Sequence, residues 1–244
     1  MTNKKTIAIS IQGLEKYYGD FHAIKDISFE VAKGDFFGFL GPNGAGKTTT
    51  IHAISGLANF QKGSIQVLGQ DVQKNYREAR RLIGLCGQEF NFDPFLSLFQ
   101  LLVYQAGYFG INKSVAQDRS EILLKRFKLW DKKQDSFRKL SGGMKRRLLI
   151  CRSLVHDPEI IILDEPTAGA DIELRNLIWE YLKELNAEGK TIFLTTHYME
   201  EAERLCKSLA IIHLGQIKSI GPKADVLGGD KLEDVFMQIT KSES

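Results

Sequence analysis

Gly41, Pro42, Asn43, Gly44, Ala45, Gly46, Lys47 and Thr48 fill every fixed position of the pattern G-x-x-x-x-G-K-[ST], and nothing else in the chain constrains the fold so tightly. Residues 35–40 before it read as a short buried strand. Residues 49–55 after it, beginning with Thr49, read as the first turns of a helix. In that setting glycines let the backbone wrap a triphosphate with its N–H groups facing the anion. The helix N-terminus adds positive partial charge. Lys47 can reach the outer phosphates, the Thr48 hydroxyl can ligate Mg²⁺, and Thr49 joins the loop as a nucleotide contact. The chain is expected to bind a nucleoside triphosphate.

The sequence has 244 residues, enough for one large domain or one domain with an inserted subdomain. A net charge of +3 is small for that length and argues against nucleic-acid binding by bulk electrostatics. Cys86, Cys151 and Cys206 are isolated from one another and from histidines, and read as buried, reduced thiols rather than metal ligands or a disulfide framework. Residues 1–6 are followed by no apolar run, so no secretory signal is expected. No apolar stretch is long enough to span a bilayer, which leaves any membrane role to a partner.

Residues 7–11 and 27–31 alternate apolar and polar as half-buried strands do, and residues 63–69 form another short strand bounded by glycines. These pieces predict an antiparallel sheet joined to a parallel core. A charged helix from Tyr76 leads into a strand over residues 82–86. Residues 90–157 show helical periodicity (Ile122, Leu123, Phe127, Leu129) broken by turns at 107–112 and 131–135, as an all-helical insertion would. The apolar run 159–164 predicts a strand buried on both faces, followed by a helix over 173–187 and a strand over 191–196. Residues 209–220 read as a hairpin. From Lys231 a short amphipathic helix (Leu232, Val235, Phe236, Ile239) leads to a polar end expected to fray. The expected division is an α/β core over 1–88 and 158–221, a helical subdomain over 89–157, and a C-terminal helix and tail over 222–244.

Asp164 and Glu165 stand at the carboxyl end of the buried strand, the edge where α/β sheets bind ligands. Strand alternation points them in opposite directions. Asp164 is expected to face the Mg²⁺ and Glu165 to polarise the water that attacks the γ-phosphate. In Leu140-Ser-Gly-Gly-Met-Lys-Arg-Arg147, Ser141 has N-cap chemistry, and Gly142 and Gly143 leave helix-start N–H groups open to an anion. Taken alone, this segment is as readily an ordinary capped helix with a solvated basic face at residues 145–147.

Leu140-Ser-Gly-Gly-Met144 resembles the signature motif of ABC-transporter ATPases, and it lies between the phosphate loop and the Asp-Glu strand as in that family. The resemblance covers residues 7–221 and implies an ABC ATPase P-loop core, mostly parallel, with an N-terminal antiparallel β subdomain and an inserted helical subdomain. It implies that Tyr18 stacks on adenine; Tyr17 or Phe21 could supply that ring instead, but the position just before Gly19 favours Tyr18. Gln88 would be the Q-loop glutamine that touches Mg²⁺, Asp171 would belong to the D-loop, and His197 would be the switch histidine. Residues 88–94, 140–147 and 195–202 are similar to the ATP-binding subunits of bacterial ABC-2-type exporters. Met144 replaces the usual Gln and Ala170 the usual Leu, positions that bear on signalling and D-loop packing and not on phosphate ligands.

The resemblance further implies ATP and Mg²⁺ as ligands, and a head-to-tail homodimer in which Ser141, Gly142 and Gly143 of one copy close on the ATP of the other. It implies an ABC-2-type transmembrane permease as partner, with peripheral attachment to the cytoplasmic face of a bacterial inner membrane. The aromatics of residues 90–109 are expected mostly to fill the helical core, the rest lining a groove for that permease. A non-transport ABC ATPase acting on nucleic acid or ribosomes is the competing class; no nucleic-acid partner is expected from so weakly basic a chain. A regulatory GTPase or small-molecule kinase would share only the phosphate loop.

Overall fold

The computed structural model describes residues 6–241, so the expectations for residues 1–5 and for the polar end past residue 241 lie outside the described residues. Strands β1 (Ile7–Tyr18), β2 (Phe21–Ala32), β4 (Lys62–Val67) and β5 (Gln70–Asp71) form an antiparallel sheet in the order β2-β1-β4-β5. Strands β3 (Phe36–Leu40), β6 (Ile83–Cys86), β7 (Ile160–Asp164), β8 (Thr191–Thr196), β9 (Ser208–His213) and β10 (Gln216–Pro222) form a second sheet in the order β10-β9-β3-β8-β7-β6. Only its edge strand β10 runs antiparallel to its neighbour.

Side-chain alternation divides this second sheet between two cores. Phe37, Phe39, Ile160, Ile162, Phe193, Ala210 and Ile212 face the antiparallel sheet, together with helices α1 (Lys47–Ile54) and α2 (Tyr76–Arg81). There Phe37, Phe39 and Phe193 pack around Phe29 with ring centroids 5.4–6.3 Å apart. Phe36, Leu40, Ile161, Leu163, Ile192, Leu194, Leu209 and Ile211 face the other way. They are covered by α3 (Leu98–Tyr108), α4 (Lys113–Arg126), α5 (Gly142–Leu154), α6 (Ile172–Ala187), α7 (Met199–Leu205) and α9 (Leu232–Lys241). A one-turn helix α8 (Lys223–Leu227) precedes α9.

Several expectations need adjustment. β1 and β2 run for 12 residues each, well past the expected stretches, because register shifts at Ile11/Leu14, Leu14/Lys16 and Lys16/Tyr17 break the alternation that marks a strand. Ile122 is exposed, and α4 ends at Arg126, so the buried Phe127 and Leu129 lie past the helix that their periodicity predicts. Phe90, Phe92 and Phe99 pack against the helical core, whereas Phe95, Tyr104 and Tyr108 are exposed. All three cysteines are buried and free; burial pushes the Cys86 thiol up to about 11 and raises Cys151 and Cys206 further, which leaves them unreactive.

β6 lies tight against α5. A Cβ on Gly84 would sit 2.1 Å from the Ser153 carbonyl oxygen, so only glycine allows this approach. Gly84→Ala is therefore expected to destabilise the chain by about 1–3 kcal/mol. Thermal unfolding should show a Tm lower by roughly 3–10 °C, and an unchanged Tm would contradict this packing.

Candidate active site

Because β3, β6, β7 and β8 run parallel, their carboxyl ends open at one edge of the sheet. The loop after β3 carries residues 41–46 into α1. Gly46, the N-cap of α1, has φ 110°, and a Cβ there would meet Ile24 Cδ1 at 2.6 Å; the glycine turns the loop into the helix where a side chain has no room. The Gly215 N–H braces the loop by donating to the Ala45 carbonyl at 3.0 Å, and Ala45 itself is buried. Lys47 is buried and donates to the carbonyls of Gly41 (2.7 Å) and Pro42 (3.1 Å). Burial pulls its ammonium below its ordinary value, opposed by Glu165 and Asp164.

Asp164 is 1% exposed and accepts from Thr48 Oγ1 at 2.9 Å and from Thr195 Oγ1 at 2.5 Å. The loop of β3 is thereby tied to the ends of β7 and β8. Glu165 parts from Asp164 for a different reason than strand alternation. Its φ is 51°, a left-handed turn that a side chain adopts only at a cost of about 1–2 kcal/mol. Its N–H still donates to Thr195 C=O, while the carboxylate swings to within 3.8 Å of Lys47 Nζ and 3.1 Å of His197 Nδ1. Strain of this kind gathers at functional sites.

A cavity of about 350 Å³ opens over these groups, lined by residues that include Tyr18, Phe21, Asn43, Gly44, Thr49 and Gln88. Tyr18 and Phe21 are both exposed at its rim, and Lys16 Nζ lies 4.6 Å from the Tyr18 ring centroid. Tyr17 is occupied elsewhere, stacked on His22 at 3.9 Å and donating to Glu15. The buried pairing of the Thr48 hydroxyl with the Asp164 carboxylate is the hard-oxygen chemistry that suits Mg²⁺, with Gln88 on the same wall. The ion supplies charge neutralisation at the phosphates when bound.

Ser141, Gly142, Gly143 and Asp171 lie apart from this cavity; among the described residues none of them lines it. Ser141 caps α5 by accepting from Met144 N–H, and Asp171 caps α6 by accepting from Leu174 N–H at 2.8 Å. Leu174 also borders Gly143, which places the two caps side by side. Met144 and Ala170 pack against the helical core, which explains apolar side chains there.

The basic stretch 145–147 is not a solvated face. Arg146 is buried and donates to the Gly87 carbonyl at 3.2 Å, beneath the Phe90 ring. Arg147 donates to the Phe127 carbonyl, and Lys145 lies 4.8 Å from the Phe137 ring centroid. Further along α5, Arg152 donates to the Asn91 carbonyl at 2.7 Å and sits over Phe92. The helix that begins at Ser141 thus grips the loop that carries Gln88, a link that spacing in the sequence does not signal.

A family profile described as ABC transporter matches residues 24–168. The chain belongs to the ABC transporter family. A Nod factor export ATP-binding protein I from Cupriavidus pinatubonensis is 42% identical over 91% of this chain and 68% of its own length. Its counterpart from Burkholderia orbicola is 45% identical over 85% and 68%. A solved ATP-binding subunit of an ABC transporter superposes with a TM-score of 0.90 at 28% identity, covering 96% of this chain and all of that one. A bacterial ABC transporter cassette solved as a dimer gives 0.80 at 26% identity, over 88% and 98%. This chain is accordingly the ATP-hydrolysing subunit of an ABC transporter, with ATP and Mg²⁺ as its ligands.

Lys47→Ala removes the buried ammonium beneath the loop. ATP affinity, read by titration calorimetry, should fall at least about tenfold; unchanged affinity would contradict the assignment of this loop as the phosphate cradle.

Proposed function

We propose that the chain is the motor of an ABC-2-type exporter, two copies clasping two ATP molecules head to tail to drive a separate membrane-embedded permease. One observation carries the dimer: Ser141, Gly142, Gly143 and Asp171 form a face of their own, away from the cavity lined by Lys47, Thr48 and Glu165. A second copy supplies the missing half of each site. In that sandwich the exposed N-terminus of α5 faces the γ-phosphate of the other copy, an interaction that lasts only while that charge is present. Glu165 polarises the attacking water, His197 holds Glu165 in line, Gln88 contacts the metal, and Tyr18 stacks on adenine, with Phe21 at the same rim. The cassette solved as a dimer supports the pairing, and the relatives named for Nod factor export support the direction of transport.

No helix among the described residues is long and apolar enough to cross a membrane. Attachment then runs through the permease, at the cytoplasmic face of a bacterial inner membrane. The seat for it is a cavity of about 370 Å³ between β6 and the helical layer, lined by Leu57, Leu85, Gln105, Phe109, Arg152 and His156 among others. Phe109 stacks on the buried His156 at 3.7 Å, giving the floor a rigid aromatic surface. The exposed rings of Tyr104 and Tyr108, on the same helix as Gln105, line a separate hollow with Val103 and Ile111.

Glu165→Gln should retain ATP binding while turnover drops at least about 100-fold. The variant should double its mass in light scattering at saturating ATP and Mg²⁺; a strictly monomeric variant would contradict the sandwich. Co-expressed with its permease, the chain should sediment with membranes and show faster ATP turnover. Stimulation by nucleic acid instead would favour the non-transport class.

A further inference from the structure

A carboxylate lies buried behind the pair Glu165–His197, outside the cavity. Glu201, in the first turn of α7, is 0% exposed. Its Oε1 accepts from Thr167 Oγ1 at 3.0 Å and from the Trp179 indole N–H at 2.8 Å. Thr167 and Trp179 are themselves buried, at 1% and 3% exposure. The surroundings are apolar, with Ile178, Ala202 and Leu205 in the same cluster. The cation acting on it is Arg175, which is partly exposed and lies 3.9 Å from Glu200.

Burying a carboxylate among such neighbours costs several kcal/mol unless its partners compensate, and an apolar side chain of similar volume generally packs as well or better. Packing alone therefore gives no reason for an acid here. Its position supplies one. Thr167 lies two residues beyond Glu165, and α7 begins two residues beyond His197. Among the described residues, the last backbone hydrogen bond between these two loops is Glu165 N–H to Thr195 C=O. Past it, the loops separate, and the hydrogen bond from Thr167 to Glu201 joins them again. Trp179 anchors the same oxygen to α6.

We infer that Glu201 is a positioning residue for ATP hydrolysis, its buried carboxylate locking the loop after Glu165 to the loop after His197 so that the 3.1 Å contact between those two side chains is held. The inference rests on the site assignment above. A misplacement of about 1 Å at a reacting centre can cost 100-fold in rate, so a tie this close to the pair has leverage on turnover rather than on ATP binding. Burial pushes the Glu201 carboxyl above its ordinary value, opposed by its polar neighbours Thr196, Trp179 and Thr167, of which the last two donate to Oε1 while Oε2 has no hydrogen-bond partner among the described residues. A neutral side chain of the same shape can accept the same two bonds through one oxygen.

The test is steady-state ATP turnover of the purified chain and three variants, with Tm measured on each. Glu201→Ala should lower kcat at least about tenfold with KM for ATP within about twofold. Glu201→Gln should recover most of that loss. Thr167→Val, which keeps the shape and removes one donor, should lower kcat about three- to fivefold with KM for ATP within about twofold. If Glu201→Ala does not fold, the Gln and Val variants decide. Unchanged kcat in Thr167→Val, a change in KM instead of kcat, or a Gln variant as slow as Ala would overturn the inference. Glu165→Gln run alongside separates the two levels: if it still turns over ATP, the site assignment fails, whereas its inactivity beside a normal Thr167→Val variant refutes Glu201 alone.

Discussion

Parallel pairing in one register is the constraint on which the site depends. Leu40 pairs with Thr196, Asp164 with Thr195, and Cys86 with Leu163, so the segments leaving β3, β8, β7 and β6 all emerge at the same edge. The register is held by the two cores. Alternate residues of each strand belong to opposite faces, and a slip of one residue would exchange the whole set. Residues far apart in sequence, such as Thr48 and Asp164, then meet at 2.9 Å without a long loop having to find its place.

On that edge the chain builds a site rich in charge and arranged around an anion that it does not itself provide. Lys47 is buried between two loop carbonyls, of Gly41 and Pro42, and the carboxylates of Glu165 and Asp164. The left-handed backbone at Glu165 sends one carboxylate toward Lys47 and His197 while Asp164 stays bound to Thr48 and Thr195. The helix that begins at Ser141 is rigidly connected to this edge by Gly84, which lets α5 approach β6, and by Arg146 and Arg152, which hold the loop carrying Gln88. That helix and the Gln88 loop are thereby joined by side-chain hydrogen bonds to Gly87 and Asn91. A permease seated as proposed, in the cavity beside Arg152, would press on both.

Features with a strong local pattern are legible in the sequence: the phosphate loop, the apolar runs that become β7 and β8, and the N-cap chemistry of Ser141. The extent of β1 and β2 is not, since bulges disrupt their alternation. Nor does spacing foretell that Glu165 leaves the strand through a left-handed turn, because any residue type can be forced there by its surroundings. The buried partners are the hardest to read. Arg146 looks like one member of a surface basic run, and Glu201 like one of several acids on a solvated helix. Both roles come from elements distant in sequence, and only the folded packing defines them. Gln88, by contrast, lies on the cavity wall directly after β6, where its place in the chain puts it.

The central claim is that each nucleotide site takes its two halves from two copies of this chain. The most direct measurement is an experimental structure of the Glu165→Gln form with ATP and Mg²⁺. The account predicts each γ-phosphate held between Lys47 of one copy and Ser141–Gly143 of the other. ATP fully enclosed by one copy, with Ser141 left facing solvent, would contradict it.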